Sequence, residues 1–354
     1  NISAEQFSEF SMQTCRAFWF GFIRNVPSLA FNGLTPECAS QFTLNALFPV
    51  TANQLHQIRV EVFSAFSATQ ILYLPGAAFS RITAEQLAAI EPLSCGGLNS
   101  AHVSQMPAEV ALGLTPECAS NFGNSASSGM SRQFLANIPV RTFATFTALQ
   151  IGRILPQTLN NIRLDQLLAL PPEACSGLGT FQMAAFPPSL ARGITARCLY
   201  HFSREACRGL TSAFIEAMDP AAAIGLAAHC LDEIGESESC GGLTAQFIAN
   251  IPPEAVEGFS SSCIRETKSD AFRLISPRQL QRISVPAFNG FIDSIQHISH
   301  DVLQAASLNQ LANLSRGLGG MTAEQMTLIV GKFRLDIVNL WTAEQIQGVD
   351  IVGT

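Results

Sequence analysis

An internal repeat with a period of 16 runs through most of this chain and constrains its fold more than any other feature. Each unit opens on an apolar residue, and the early units follow one another at a constant interval. Their opening residues are Ile2, Phe18, Leu34, Val50, Phe66, Ile82, Leu98, Leu114, Met130, Phe146, Ile162, Leu178, Ile194, Leu210 and Leu226. After one extra residue the series resumes at Leu243, Phe259, Ile275 and Phe291, and it returns less regularly at Met321 and Trp341. A fixed period of this kind is typical of repeat architectures whose units pack on their neighbours.

Each unit carries the start and stop signals of short helices. With the opening residue as position 0, position 1 is usually Thr or Ser and position 4 is most often Gln, as in Thr83 and Gln86. This spacing is a capping box, in which the hydroxyl and the amide satisfy backbone N–H groups of the first helical turn. Position 9 is often proline, which ends the first helix. Position 15 is often glycine, as in Gly113, and predicts a left-handed C-cap after a second short helix.

The apolar residues at positions 0, 5, 8 and 13 divide each unit into two octads. Helices this short are not stable alone in water, so they must be held by stacking against neighbours. The sequence therefore predicts an all-α solenoid of short helices, built from about 21 tandem repeats of about 16 residues. We expect a regular solenoid over residues 1–298 and an irregular continuation of it over 299–354.

The ten cysteines form five consecutive pairs with one common spacing. The sequence numbers of the two members differ by 23 in every pair: Cys15 and Cys38, Cys95 and Cys118, Cys175 and Cys198, Cys207 and Cys230, Cys240 and Cys263. A disulfide needs Cα atoms about 4.4–6.8 Å apart, so paired residues must lie side by side on neighbouring coils. Three octads match that spacing better than two or four, which predicts triangular coils of about 24 residues stapled by disulfides. It also predicts a secreted or extracellular-surface protein. The alternative is a zinc or reduced-thiol protein, but no C-x-x-C motif is present.

Composition and motifs exclude several classes of function. The formal net charge of −7 leaves no basic stripe for nucleic acid, and no apolar run is long enough to span a membrane. No nucleophile, phosphate-binding or metalloprotease motif occurs, so we expect neither an enzyme nor a cofactor. His297 and His300 lack a third convergent ligand, so we predict no metal site. The chain starts at Asn1 and is in register at once, which we interpret as a processed or excised segment.

An aromatic cluster near the start of the chain is the main candidate for an interaction surface. Phe18, Trp19, Phe20 and Phe22 exceed what one unit needs for packing. They predict an exposed apolar patch, with a thicker end coil as the alternative. Trp341 opens a unit close to the other end, and we group it with these four residues as candidates for an assembly interface.

Two other features suggest modified or irregular surface. Asn1 and Asn313 each begin an N-glycosylation sequon and are candidate glycosylation sites. The small polar segment 123–129 places Ser127 where a core residue belongs. We interpret it as a binding dent or an O-glycosylated notch, with a tolerated loop as the alternative.

The architecture leads to two functional hypotheses. Neither end reads as a capping repeat, and a head-to-tail contact that does not close generates a filament. The first hypothesis is an extracellular structural protein that assembles with itself end to end into filaments or a surface matrix. The alternative is a cell-surface adhesin or receptor-type module that binds protein or glycan on one solenoid face. A glycoside hydrolase would need paired carboxylates, whereas the recurring glutamates at position 3 suit helix N-termini.

Overall fold

The computed structural model describes residues 2–314 and 320–333, and within these ranges all regular secondary structure is helical, with no β-strand. The chain divides into two compact units, Asn1–Gly177 and Leu178–Thr354. The α-helices have four to six residues, except α20 with nine and α27 with eleven. The all-α class with many short helices is thus confirmed.

The first unit contains fifteen α-helices and seven 3-10 helices among its described residues. The α-helices are α1 Ala4–Ser8, α2 Met12–Arg16, α3 Phe20–Asn25, α4 Pro36–Ser40, α5 Leu44–Leu47, α6 Ala52–Gln57, α7 Ala68–Tyr73, α8 Ala84–Ala88, α9 Ser100–Gln105, α10 Pro116–Ser120, α11 Arg132–Asn137, α12 Val140–Phe143, α13 Ala148–Arg153, α14 Pro156–Leu159 and α15 Leu164–Ala169. The 3-10 helices are η1 Ser28–Gly33, η2 Val60–Ala65, η3 Gly76–Arg81, η4 Pro92–Gly97, η5 Ala108–Gly113, η6 Ala126–Gly129 and η7 Pro172–Gly177.

The second unit continues the same alternation of helix types. Its α-helices are α16 Thr180–Ala185, α17 Ala196–Tyr200, α18 Arg204–Arg208, α19 Ser212–Ala217, α20 Ala228–Glu236, α21 Ala245–Asn250, α22 Ser261–Glu266, α23 Pro277–Arg282, α24 Val285–Phe288, α25 His300–Leu303, α26 Leu308–Ala312 and α27 Ala323–Phe333. Its 3-10 helices are η8 Pro188–Gly193, η9 Pro220–Gly225, η10 Cys240–Gly242, η11 Ala255–Gly258, η12 Ser269–Leu274, η13 Asn289–Ile292 and η14 Ile295–His297.

Capping boxes start these helices as the repeat pattern predicts. In α8, the Thr83 hydroxyl accepts the Gln86 N–H at 3.2 Å, and the Gln86 side-chain oxygen accepts the Thr83 N–H at 3.0 Å. The same reciprocal pair occurs at α1, α6, α7, α13, α23 and α26. Two backbone donors that a helix start leaves unpaired are thereby satisfied.

Most helices that pack on one another begin about three octads apart. Helix α6 begins at Ala52 and packs against η1, which begins at Ser28, and against η3, which begins at Gly76. In the second unit, α19 packs against η8, which begins three octads earlier. Many of these pairs set an α-helix against a 3-10 helix, and others, such as α3 and α5, set two α-helices together. We call two octads that pack at this interval stacked octads. The apolar opening residues lie between them, and those from Phe18 to Phe291 are all buried.

The glycines at position 15 have a different purpose from the predicted one. No described glycine has positive φ, so the prediction of a left-handed C-cap is wrong. A Cβ at Gly113 would lie 1.9 Å from the carbonyl oxygen of Ala84, and one at Gly97 would lie 2.0 Å from that of Ala68. Only glycine lets the end of a 3-10 helix pass so close to the start of an α-helix in the stacked octad.

Candidate functional site

The glutamine at position 4 links each octad to the octad stacked before it. In α8, the Gln86 amide nitrogen donates to the carbonyl oxygens of Ile58 and Leu55, at 2.7 and 3.3 Å. Ile58 opens the stacked octad, and the Gln86 side chain is only 3% exposed. Acceptors at the same distances along the chain, 28 and 31 residues earlier, bind Gln54, Gln70, Gln150, Gln166 and Gln279. One side chain thus caps its own helix and binds the carbonyl group that opens the stacked octad, together with one at the end of the helix just before it.

This second function of the glutamine was not predicted, although the sequence contains a signal for it. A capping box accepts either Glu or Gln at this place, yet none of the units whose opening residues are named above has Glu at position 4. Both residues offer an acceptor to the helix N-terminus, but only the amide has N–H groups to donate. The consistent choice of amide over carboxylate is explained by the carbonyl acceptors in the stacked octad.

Cysteine occupies position 4 in several other units and links the same pair of octads covalently. The structure contains the disulfides Cys15–Cys38, Cys95–Cys118, Cys207–Cys230 and Cys240–Cys263, with Cα atoms 5.1–5.4 Å apart. Each has a sequence separation of 23 and runs from the buried position 5 of one octad to position 4 of the stacked octad. Cys175 and Cys198 are disulfide-bonded as well, and no described cysteine is free.

His102 takes the position of the glutamine in α9. Its Nε2 lies 2.8 Å from the carbonyl oxygen of Leu74, 28 residues earlier, and its Nδ1 accepts the backbone N–H of Asn99 at 3.1 Å. The side chain is buried, and its ring centroid is 4.6 Å from that of Phe79. Burial lowers the pKa of the imidazole, although the hydrogen bond to Leu74 opposes this effect. The ring is therefore neutral at pH 7, with the proton on Nε2.

An exposed apolar surface crosses three helices near the start of the chain. Helices α3, α5 and α7 begin three octads apart and pack in succession. Their outer surface exposes Trp19, Phe20, Phe48, Leu72 and Tyr73, with Trp19 at 65% and Phe48 at 63%. We call these five residues the apolar strip. Large exposed apolar patches on a protein surface mark interaction sites.

The apolar strip carries very little charge. Segments 18–25, 42–49 and 66–73, which contain the three helices, include a single charged residue, Arg24. Its guanidinium lies 6.0 Å from the centroid of the Phe20 ring, and the rings of Phe20 and Phe48 are 6.3 Å apart. In a chain of net charge −7, this surface is free of carboxylates and therefore of like-charge repulsion.

The predicted aromatic cluster is divided between core and surface. Phe18 is 6% exposed and stacks on Phe22, with ring centroids 4.4 Å apart, so Phe18 packs inside the unit. Trp19 and Phe20 are exposed. The sequence analysis did not predict that the apolar strip continues through Phe48 to Leu72 and Tyr73. These residues lie three octads apart along the chain, whereas the sequence repeat has a period of two octads. Trp341 and Asn1 lie outside the described residues.

The other candidate positions do not converge on a site. Ser127 is buried, and its hydroxyl has no hydrogen-bond partner. A surface cavity of about 470 Å³ lies beside Gly235, Glu238 and Arg265. His300 faces Glu324 at 3.7 Å, and the described part of the chain contains no cluster of metal-ligand side chains. Asn313 is exposed.

No helix in the described ranges is both long and apolar enough to cross a membrane. Comparison with known proteins found no protein-family model that matches this sequence and no related protein among those that have been curated.

Proposed function

We propose that this chain is an extracellular structural repeat protein. In this proposal the helices of each unit form a solenoid with three short helices and about 24 residues per coil, and copies of the chain assemble end to end into filaments or a surface matrix. The observation that carries the proposal is the link at position 4. The same buried position joins stacked octads again and again, by an amide in Gln86 or by a disulfide in Cys118.

The oxidised cysteines support an extracellular location. No described cysteine is free, and disulfides persist mainly in secreted and cell-surface proteins, because the cytosol keeps thiols reduced. Glycosylation belongs to the same proposal, and the exposed Asn313 is its candidate site among the described residues.

Sedimentation velocity of the full chain over a range of concentrations tests this proposal. We expect large assemblies above a threshold concentration. A chain that stays monomeric at high concentration contradicts the proposal.

The apolar strip favours a second candidate function, a binding module for an extracellular protein or glycan. Exposed aromatic side chains such as Trp19 and Phe48 are characteristic of the centres of binding interfaces. A screen of immobilised glycans and cell-surface proteins should then find a ligand whose binding is lost in a Trp19→Ser, Phe48→Ser double variant. Leu112→Ser, an equally exposed apolar residue on η5, is the matched control. Loss of binding in both variants would exclude the strip as the site.

A further inference from the structure

We propose that His102 makes the contact between η3 and α9 sensitive to acid, whereas the equivalent contacts made by glutamine are not. This junction lies inside the first unit, and its response to acid does not depend on the proposed function. The ring uses both of its nitrogen atoms in hydrogen bonds.

The two hydrogen bonds of the ring require its neutral form. Nε2 donates to the carbonyl of Leu74, while Nδ1 accepts the N–H of Asn99. A proton taken up from solvent at Nδ1 removes this acceptor and sets two N–H groups against each other. It also creates a positive charge on a side chain that is 1% exposed and therefore shielded from water. Both effects oppose protonation as long as the junction stays closed.

No charged group is placed to compensate an imidazolium. The helices packed against α9 are η3 and η6. Helix η6 has no titratable residue, and η3 has only Arg81, whose guanidinium binds Asn53. The exposed His56 binds the carbonyl oxygen of Arg81. No carboxylate of the described residues forms a hydrogen bond or an ion pair with His102. The folded junction therefore stabilises an imidazolium less well than water does.

The direction of the pH effect follows from these contacts. Burial lowers the pKa of His102 in the folded chain, while an unfolded histidine titrates near about 6.5. The junction is therefore fully stable above about pH 6.5 and loses stability as the pH falls from there towards the folded pKa. Gln86 has the same donor and acceptor functions without a titratable group. The contact of α8 should not respond to acid over this range.

Leu74 connects this junction to the apolar strip. It follows Leu72 and Tyr73 directly and is the C-cap of α7. When the hydrogen bond between His102 and the Leu74 carbonyl breaks, the C-terminal end of α7, which carries these two strip residues, loses its hydrogen bond to α9. Acid is therefore expected to loosen one edge of the apolar strip before the rest of the unit.

Hydrogen exchange measured at pH 7 and pH 5, corrected for intrinsic exchange rates, tests the inference. In the parent chain we expect the protection of residues 74–81 and 99–106 to fall at least tenfold at the lower pH. In His102→Gln it should fall less than twofold, because glutamine restores the link used elsewhere. His56→Gln should behave like the parent chain. An equal loss of protection in the parent chain and His102→Gln would overturn the proposal.

A direct titration keeps the proposal testable even if His102→Gln folds poorly. Two-dimensional ¹⁵N NMR of the histidine rings in the parent chain distinguishes the tautomers and reports each pKa. We expect the His102 proton on Nε2 and a midpoint below the value of about 6.5 for an unfolded histidine. A midpoint at or above about 6.5, or a proton on Nδ1, would contradict the proposal.

Discussion

Two regions of the molecule hold stacked octads together at the same position with different chemistry. Between Val50 and Ile90 the links are the amides of Gln54, Gln70 and Gln86, and the chain has no cysteine from residue 39 to 94. Between residues 203 and 266 the links are the disulfides Cys207–Cys230 and Cys240–Cys263. We call these the amide-linked and the disulfide-linked regions. The fold needs a connection at position 4, but it does not need one particular bond.

The disulfide-linked region has a further internal tie. Glu233 in α20 is buried and accepts hydrogen bonds from Arg204 at 3.0 Å and Arg208 at 2.7 Å. Burial alone would raise the pKa of Glu233, but the hydrogen bonds and charges of the two arginines prevail and hold it below the usual value. This contribution is therefore present above the unfolded pKa of about 4.3 and is lost as the pH falls further. Stability in this region therefore rests on two disulfides, which a reductant cleaves, and on an ion-pair cluster that acid weakens.

Reduction should produce the largest difference between the two regions. In the chain-entropy model, each disulfide closes a loop that contributes about 3 kcal/mol. With a strong reductant, hydrogen exchange should accelerate throughout residues 203–266, while residues 50–90 keep their protection. Mass spectrometry of peptides from both regions measures this in one sample. Equal losses in the two regions would show that the amide links do not hold their octads independently.

Gln86→Glu should break a link in the amide-linked region. The carboxylate still caps α8, but it turns a charge towards the carbonyl groups of Ile58 and Leu55. It leaves the Ile58 carbonyl without this donor, while the Leu55 carbonyl keeps the backbone N–H of Ile58. The expected loss in free energy of unfolding is about 3 kcal/mol, measured by urea denaturation. Gln105→Glu, exposed on α9, should change it by less than about 0.5 kcal/mol. A loss similar to that of Gln105→Glu would show that Gln86 only caps its own helix and does not hold the stacked octad.

Gly97→Ala should separate stacked octads without touching position 4. The new Cβ would lie 2.0 Å from the carbonyl oxygen of Ala68, and overpacking of this kind costs about 2 kcal/mol. The adjacent Gly96 is the matched control, because its Cβ would lie 3.5 Å from the nearest atom, the carbonyl oxygen of Asn121. Thermal unfolding should give a lower melting temperature for Gly97→Ala than for Gly96→Ala. Similar melting temperatures would contradict the close approach of Gly97 to the Ala68 carbonyl.

Exchanging one chemistry for the other should have the smallest effect. Ser127 and Gln150 have the same sequence separation as the paired cysteines, and Ser127 is buried with an unpartnered hydroxyl. The Ser127→Cys, Gln150→Cys double variant should form a sixth disulfide, seen as a mass two hydrogens lower than that of its reduced form. The expected change in free energy of unfolding is close to zero, because about 3 kcal/mol for the loop is offset by about 1 for each of the hydrogen bonds that Gln150 makes with Ala119, Phe122 and the Thr147 N–H. Two free thiols in this variant would refute the equivalence of the two links.

The helices and their pairing were within reach of the sequence. Capping pairs such as Thr83 with Gln86 and a constant cysteine spacing are local or periodic signals, and they predicted the short helices and the octads that lie side by side. Ser127 shows the limit of the same pattern. It occupies a core position in the structure, although its small polar side chain suggested a dent.

The remaining features depend on which residues meet across stacked octads. Gly97 is explained by the carbonyl oxygen of Ala68 in the stacked octad, and the donor function of Gln86 by acceptors 28 and 31 residues earlier. Phe48 and Leu72 lie three octads apart and occupy unrelated positions in a repeat of two octads. A pattern aligned on the two-octad repeat conceals these relations, because spatial neighbours follow the three-octad interval.

Electron microscopy of the natively purified, non-reduced chain tests the proposal of end-to-end assembly most directly. We predict continuous filaments built from one repeating subunit. When a strong reductant is added, the disulfide-linked region of each subunit should unfold first. Discrete particles of one chain each, at concentrations well above those needed to observe them, would contradict the proposal.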